Sequence, residues 1–356
     1  MLSPLARYLL KRFVDRFILL FVATVLVFVL VKVVGTIFYG DDPFIVYLRL
    51  QSLQFGEASE ETQRVIKQLI RQFGLDEPLF PNQFVKYLVS LYTLNFGYSF
   101  TNRRPVWLEF SERIPNTFFL STYAFLLIVA MGLSLGWFMA SRRGRRADDV
   151  AMGVSIFSYV MPGYLMTLIF LILLAYLPRV WWGLAIFPMP PYTPPRLPTV
   201  NIPLLNISIP YPTLQYIQYL TLPAVAVAVA GFGAFAYYIR QLTMSELGQD
   251  YIVTARAKGL SDQVIMRRHV FRNVLPPFVT ALTLSIPGLF GGVGIVTEIL
   301  IAFDGMGYYL FRSIQAQDFP VVVGATFFYS ILTTAALYFV DIAVALTDPR
   351  VRLQGR

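Results

Sequence analysis

The stretch FILLFVATVLVFVLVKVVGTIF, from Phe17 to Phe38, decides which solvent this chain folds in. Only Lys32 and the polar Thr24 and Thr36 interrupt it, and it is long enough for the roughly 20 residues that a bilayer-crossing helix needs. Arg7, Lys11, Arg12 and Arg16 precede it in the manner of a secretory leader. A leader's apolar region is about half as long, so the run reads as a retained first helix. Lys32, near the far end, is expected to snorkel outward along its aliphatic stem.

Five further apolar runs follow: Thr117 to Ala140, Val150 to Leu177, Leu222 to Ile239, Val274 to Phe303 and Pro320 to Leu346. Over 356 residues, 56% are hydrophobic and 14% charged, too little polar surface to cover a water-soluble globule of this size. The net charge of +9 therefore speaks of orientation in a membrane rather than of nucleic acid. The Arg and Lys residues collect on one side of a six-span arrangement: the amino-terminal group, then Arg142, Arg143, Arg145 and Arg146, then Arg240 to Arg272, then Arg350, Arg352 and Arg356. The short loops opposite hold Arg179, Arg196 and Arg312. By the positive-inside rule both termini are cytoplasmic and residues 39–113 lie outside, that segment's own Lys and Arg counting little because it exceeds the length over which the rule applies.

Other chemistries are excluded by what is missing. There is no cysteine and a single histidine, His269, so thiolate and iron–sulfur chemistry have no ligands, and one imidazole makes a poor metal site. No HExxH or GxxxxGK[ST] pattern occurs, so neither a zinc-protease site nor a Walker A nucleotide site is expected. No metal and no catalytic residue are assigned. A membrane enzyme would need clustered titratable groups, and a channel or secondary transporter a midplane charge site; the intramembrane charges here sit near span ends.

In the outer segment, Ser59, Glu60 and Glu61 mark a helix start, and Val65, Ile66, Leu69, Ile70 and Phe73 recur at helical spacing up to Gly74, which predicts an amphipathic helix. The second outer segment, Pro178 to Thr221, is expected to be extended and stiff because prolines 188, 190, 191, 194, 195 and 198 crowd it. Trp181 and Trp182 suit the lipid headgroup level.

Between the fourth and fifth runs lies RQLTMSELGQDYIVTARAKGLSDQVIMRRHVFR, Arg240 to Arg272. Helix formers run through Thr254, Ala255, Arg256, Ala257 and Lys258; Gly259 offers the left-handed residue that ends a helix, with Leu260 after it; Ser261 is placed to cap a second one. Taken alone, these residues are equally a solvated basic loop. His269 is expected to make a helix-terminal contact.

The ARAKGL of Ala255 to Leu260, with His269 and the RNVLP of Arg272 to Pro276, resembles the EAA loop of ABC importer permeases in its oligopeptide and dipeptide form. The general family has a shorter glycine-to-proline gap and a glutamate where this chain has Val253. The resemblance continues through GLFGGVGIVTEIL (Gly288 to Leu300), DGMGYYL (Asp304 to Leu310), DFPVVVG (Asp318 to Gly324) and DPRVR (Asp348 to Arg352). GLDEPL (Gly74 to Leu79) and FGYSF (Phe96 to Phe100) resemble the signature of the B-type permease, and GDDP at Gly40 to Pro43 is a weaker match to a GDP motif.

That resemblance implies an all-α integral membrane protein with six transmembrane helices of the type I ABC importer permease fold and an extracytoplasmic region after the first helix. The expected divisions are residues 1–114, a permease core at 115–347 with a coupling loop at 241–273, and a tail at 348–356. It implies half of a translocation pathway for dipeptides or oligopeptides in a bacterial cytoplasmic membrane. The partners implied are a second homologous permease, two cytoplasmic ABC ATPases that bind ATP and Mg, and an extracytoplasmic solute-binding protein. An importer of oligosaccharides or other small solutes is the alternative. The ATPase-coupling residues would be Ala255, Arg256, Ala257, Lys258, Gly259, Leu260 and Ser261, with Ala255 and Ala257 allowing close approach and Arg256 and Lys258 meeting acidic groups. Gly288, Phe290, Gly291, Gly292, Gly294 and Glu298 form a candidate pathway or packing segment, since small residues serve both purposes in membrane helices. Glu298 and Asp341 are expected to avoid lipid, where a charge costs roughly 2.5–3.5 kcal/mol.

Overall fold

A computed structural model of the chain describes residues 4–46, 64, 67, 70–71, 74–202, 207–288 and 294–347. Helix α1 (Pro4–Phe28) continues through a π-helical turn, Val29–Val34, and a last α-turn, Gly35–Tyr39. Then come α2 (Phe84–Tyr92), α3 (Val106–Ser141), α4 (Arg146–Val160) and α5 (Gly163–Phe170), the last prolonged by a π-turn (Leu171–Tyr176) and Leu177–Trp182. Strands β1 (Thr199–Ile202) and β2 (Ile207–Pro210) make an antiparallel hairpin in which Val200 faces Ile209. Helices α6 (Leu214–Leu247), α7 (Asp250–Ala257), α8 (Phe271–Gly288), α9 (Gly294–Ile301), α10 (Met306–Gln315) and α11 (Phe319–Thr347) complete the order.

Among the described residues, five helices are long and apolar enough to cross a bilayer: Leu5–Phe38, Val106–Ser141, Gly163–Trp182, Leu214–Leu247 and Phe319–Ala343. A sixth is reached if α9 and α10, bent by 69° at their junction, are taken as one broken span.

Two apolar runs differ from their expected form. The run from Val150 to Leu177 is not one helix: α4 ends at Val160, Met161 is extended (φ −69°, ψ 125°), and α5 begins after Pro162. Pro162 lacks an N–H, and its ring drives the preceding residue out of the helical region. The run from Val274 to Phe303 is carried by two helices, α8 and α9; residues 289–293 lie outside the described residues.

Of the outer amphipathic helix expected before Gly74, most residues lie outside the described set; Arg64, Lys67, Ile70 and Arg71 are helical. Gly74, at φ +61°, follows them, with the Leu75 N–H returning to the Ile70 carbonyl at 3.0 Å. The proline-rich segment is irregular from Gly183 to Pro198 before entering β1, and Tyr192 within it is fully buried. DPRVR at Asp348 to Arg352 lies outside the described residues.

The chain divides into two compact units. One comprises Ala6–Asn116 and Gly305–Tyr338, so residues 305–338, which the sequence groups with the core, share a unit with the first helix. Its core is aromatic: Phe28 meets Phe84 edge-on at 5.0 Å, and Phe96, Phe100, Phe110 and Phe327 are buried in the same cluster. Aromatic pairs of this geometry add about 0.5–1.5 kcal/mol beyond area burial. Lys32 does not snorkel. It is buried, its Nζ 2.6 Å from Asp42 Oδ2 and 4.0 Å from the centre of the Phe44 ring. Burying the ammonium requires such a partner, since either charge left alone there would be uncompensated.

The other unit comprises Met1–Leu5, Thr117–Asp304 and Phe339–Arg356. Here α4 and α6 pack so closely that a Cβ on Gly233 would lie 2.0 Å from the Ser155 carbonyl oxygen. The Ser158 hydroxyl bridges the helices, bonded to the Val229 carbonyl and accepting the Gly233 N–H at 3.1 Å. Asp148 at the start of α4 takes two hydrogen bonds from Arg240 of α6, Nε to Oδ1 and Nη2 to Oδ2, each 2.7 Å. The guanidinium holds the Asp148 carboxyl below the usual carboxylate range, against the opposing effect of burial, with the Gly144 N–H assisting.

Candidate functional site

The expected hairpin is present, but it starts later than the sequence suggests. Helix α6 does not stop near Arg240; the good formers of QLTMSEL carry it to Leu247, and Gly248 and Gln249 make the turn into α7. Helix α7 closes at Ala257, with the Lys258 N–H bonded to the Thr254 carbonyl at 3.1 Å and the Gly259 N–H to that of Arg256 at 2.9 Å. Gly259 takes φ +80°, the left-handed residue that lets the chain reverse without a Cβ penalty. The chain re-enters helix at Asp262–Val264, passes a π-turn at Ile265–Val270 and continues as α8.

Two expectations within this segment are corrected. Ser261 occupies the cap position with extended backbone, but its side chain makes no capping hydrogen bond; the Ser261 carbonyl instead accepts the Ile265 N–H at 3.0 Å. Ala255 is not available for approach by a partner. It is buried with Ile252 against Ile239, Ile265, Val270, Val274 and Phe278. Helical spacing explains this, since Ile252 and Ala255 are i and i+3 on one face and Arg256 and Ala257 face away.

The rest of the motif stays together on the surface. Arg256, Ala257, Lys258, Gly259, Leu260 and Ser261 are all exposed, as are Arg267, Arg268 and Arg272. Arg256 Nε stands 3.5 Å from Asp262 Oδ1 across the turn. His269 is half-buried in the π-turn, and no cluster of metal-binding side chains occurs among the described residues. At the base, the Tyr251 hydroxyl donates to Glu246 Oε2 at 2.6 Å, and Asn273 Nδ2 donates to the Tyr251 oxygen at 3.0 Å. These bonds tie the end of α6, the start of α7 and the start of α8. Burial, and next the Glu246 carboxylate, push the Tyr251 phenol up. The arrangement is a basic, exposed turn on an apolar base that it shares with α6 and α8.

The candidate pathway segment is divided. Phe290, Gly291 and Gly292 lie outside the described residues. Gly288 ends α8 and is exposed, with open space where a Cβ would stand, while Gly294 begins α9 and is buried. Glu298, also on α9, is fully buried, its Oε1 accepting the Thr117 hydroxyl of α3 at 2.7 Å. One residue earlier the Thr297 hydroxyl is 3.4 Å from that of Thr167 on α5. Asp341 is also buried. Sequence reading singles out Glu298 but not its partner Thr117, nor the Thr167–Thr297 pair, because a hydroxyl carries no signal in hydropathy. The Asp148–Arg240 clamp is not legible there either, since in sequence Arg240 is only one of the orientation charges.

Residues 132–353, which contain the hairpin, α8 and α9, match the family described as binding-protein-dependent transport system inner membrane component. The chain belongs to this family. Over 353 residues it is 31% identical to a dipeptide transport system permease protein of Bacillus subtilis (strain 168), covering 99% of this chain and all of that protein. It is 32% identical over 289 residues to a di/tripeptide transport system permease protein of Pseudomonas aeruginosa (strain UCBPP-PA14), covering 80% of this chain and 84% of the relative. A putative peptide transport system permease protein of Brucella abortus (strain 2308) is 30% identical over 346 residues, 97% and 98% of the two chains. The protein is thus an ABC importer permease, a multi-pass inner-membrane subunit of a class that works with separate ATPase and binding-protein partners and is not itself an ATPase.

Proposed function

We propose that this permease forms half of the translocation pathway of a dipeptide or oligopeptide importer, and that the turn from Arg256 to Ser261 is the surface through which cytoplasmic ATPases drive it. The carrying observation is the turn itself: five helix and turn residues, Arg256, Ala257, Lys258, Gly259 and Leu260, stand exposed while Ile252 and Ala255 root the same helix in the apolar base shared by α6 and α8. The peptide substrate is taken from relatives named for dipeptide and di/tripeptide transport.

Both termini and the hairpin face the cytoplasm, as the basic residues require. A second homologous permease completes the pathway, two ATPases hold ATP and Mg, and an extracytoplasmic binding protein delivers the peptide. Closure of the ATPases on ATP moves the turn, and the buried base passes that displacement to α6 and α8. Arg256 and Lys258 supply complementary charge for the ATPase surface, which favours correct register more than raw affinity. On α9, Glu298 and Thr297 are fully buried and serve to hold that helix against α3 and α5 through Thr117 and Thr167.

The experiment uses the complete importer in proteoliposomes. Gly259→Val forces a β-branched residue into the left-handed region, at a cost of about 1–2 kcal/mol or more, without meeting any neighbour. Uptake of a dipeptide is expected to fall sharply, with basal ATP hydrolysis retained and its stimulation by the binding protein lost. Unchanged uptake with normal stimulation removes the coupling assignment. Binding of peptide and oligosaccharide panels to the cognate binding protein decides the substrate class separately.

A further inference from the structure

The turn between α3 and α4 carries Arg142, Arg143, Arg145 and Arg146, and all four are exposed. Among the described residues none of them makes an ion pair. The acidic side chain best placed to neutralise them, Asp148, is buried and committed to Nε and Nη2 of Arg240, leaving Asp149 as the exposed acid of the turn. The turn has a defined shape. The Gly144 N–H bonds to Asp148 Oδ2 at 3.3 Å and the Arg145 N–H to the Arg142 carbonyl at 3.1 Å, with Gly144 at φ +70°. It follows directly on Ser141, the last residue of the apolar span Val106–Ser141.

Below the turn, α4 is built inside out. Its small and polar residues Asp148, Ala151, Ser155 and Ser158 are buried, whereas Val150 is 67% and Phe157 56% exposed, with Val154 between them. These three recur at i, i+4 and i+7, one stripe about 10 Å long running away from the arginines. Gly153 beside the stripe leaves a notch, for a Cβ there would meet nothing within 4 Å.

We propose that the arginine turn and the outer face of α4 together form a binding site for an anionic phospholipid, its phosphate on the guanidiniums and an acyl chain along Val150, Val154 and Phe157 at the Gly153 notch. The pairing of charge with an apolar stripe argues for lipid. A free anion has no use for the stripe, and an apolar protein face has no use for four arginines. Guanidinium matches phosphate bidentately, and anionic lipid attracts clustered basic residues at the membrane surface. The site stands whether or not the coupling reading holds.

The test takes the full-length permease in its complex, in detergent micelles doped with phosphatidylglycerol or phosphatidylcholine, with lipid binding followed by native mass spectrometry. The wild type is expected to prefer phosphatidylglycerol at least about tenfold. Changing all four residues (R142Q, R143Q, R145Q and R146Q) should bring that ratio close to one, whereas R267Q with R268Q, which removes exposed charge elsewhere, should leave it in place. Gly153→Trp should weaken both lipids alike by filling the notch. Should the fourfold variant not fold, the R142Q/R143Q and R145Q/R146Q pairs are each expected to lower the ratio in part. The proposal is overturned if the preference survives in these variants or if inorganic phosphate displaces the lipid, marking a plain anion site. It is also overturned if Val154→Cys cross-links to a second permease in native membranes, showing that protein covers the stripe.

Discussion

Asp318 grips Ser99 across most of the chain: its Oδ2 accepts the Ser99 hydroxyl at 2.5 Å and the Thr101 N–H at 3.0 Å, while Oδ1 accepts the Phe100 N–H at 3.0 Å. The FGYSF and DFPVVVG segments are therefore two halves of one structure. A few residues further along, Gly324 lies against the Phe96 ring, where a Cβ would meet Cγ at 2.9 Å.

Asp318→Ala leaves one buried backbone N–H group, that of Phe100, one partly buried, that of Thr101, and the Ser99 hydroxyl without their acceptor. Bonds to a carboxylate are worth about 1.5–3 kcal/mol each before compensation, so the expected loss is about 3 kcal/mol. Ser99→Ala removes one bond and is expected to cost about 1 kcal/mol. Thermal unfolding of the two purified variants checks the order; equal effects would mean the backbone bonds contribute nothing.

Lys32→Met strands the Asp42 carboxylate in a buried site and is expected to cost about 3–5 kcal/mol. Pairing it with Asp42→Asn should recover a large part of that loss, because a neutral pair no longer carries an uncompensated charge. A double-mutant cycle on detergent-solubilised protein measures the recovery, and strictly additive losses would contradict the ion pair.

Gly233→Ala should be the most damaging of the small-residue substitutions in the α4–α6 contact, since the new Cβ would overlap the Ser155 carbonyl. Overpacking of this kind typically costs about 1–3 kcal/mol. Gly153→Ala, on the open side of α4, should be neutral or slightly stabilising as a better helix former. Comparing their melting temperatures distinguishes tight packing from general helix propensity.

Asp148 has its carboxyl depressed by the Arg240 guanidinium. For a depressed carboxyl the stabilisation is complete above the unfolded value, near 4, and is lost as pH falls through the lower folded value. Wild type should therefore exceed Asp148→Asn in stability at pH 7 by about 1–3 kcal/mol, discounted for the partial exposure of Arg240. The gap should narrow only below about pH 4. A gap independent of pH down to 3 would point to shape rather than charge.

Much of this protein was legible in one dimension because the relevant chemistry is local. Phe17 to Phe38 is apolar wherever it is placed, so lipid is its solvent. Gly259 interrupts a run of helix formers, and it takes the left-handed conformation at the expected position. Pro162 was legible too, and was overlooked because the apolar character on either side of it is continuous; hydropathy does not see a missing N–H. The side chains of the coupling turn were partly misassigned for a related reason. Ala255 and Ala257 look alike in sequence, yet two residues of helical rotation place one in the base and the other in solvent.

By itself the sequence determined the membrane, the number of apolar runs, the side on which positive charge gathers and the place where the hairpin turns, all consequences of side-chain transfer energies and backbone preferences summed over short windows. The tertiary structure alone decided which polar groups meet: Lys32 with Asp42, Asp148 with Arg240, Thr117 with Glu298, and Asp318 with Ser99. In an apolar interior each of these groups must find a partner, and which one it finds depends on how helices distant in sequence are packed and rotated. That same rotation left four arginines and an apolar stripe facing outward together.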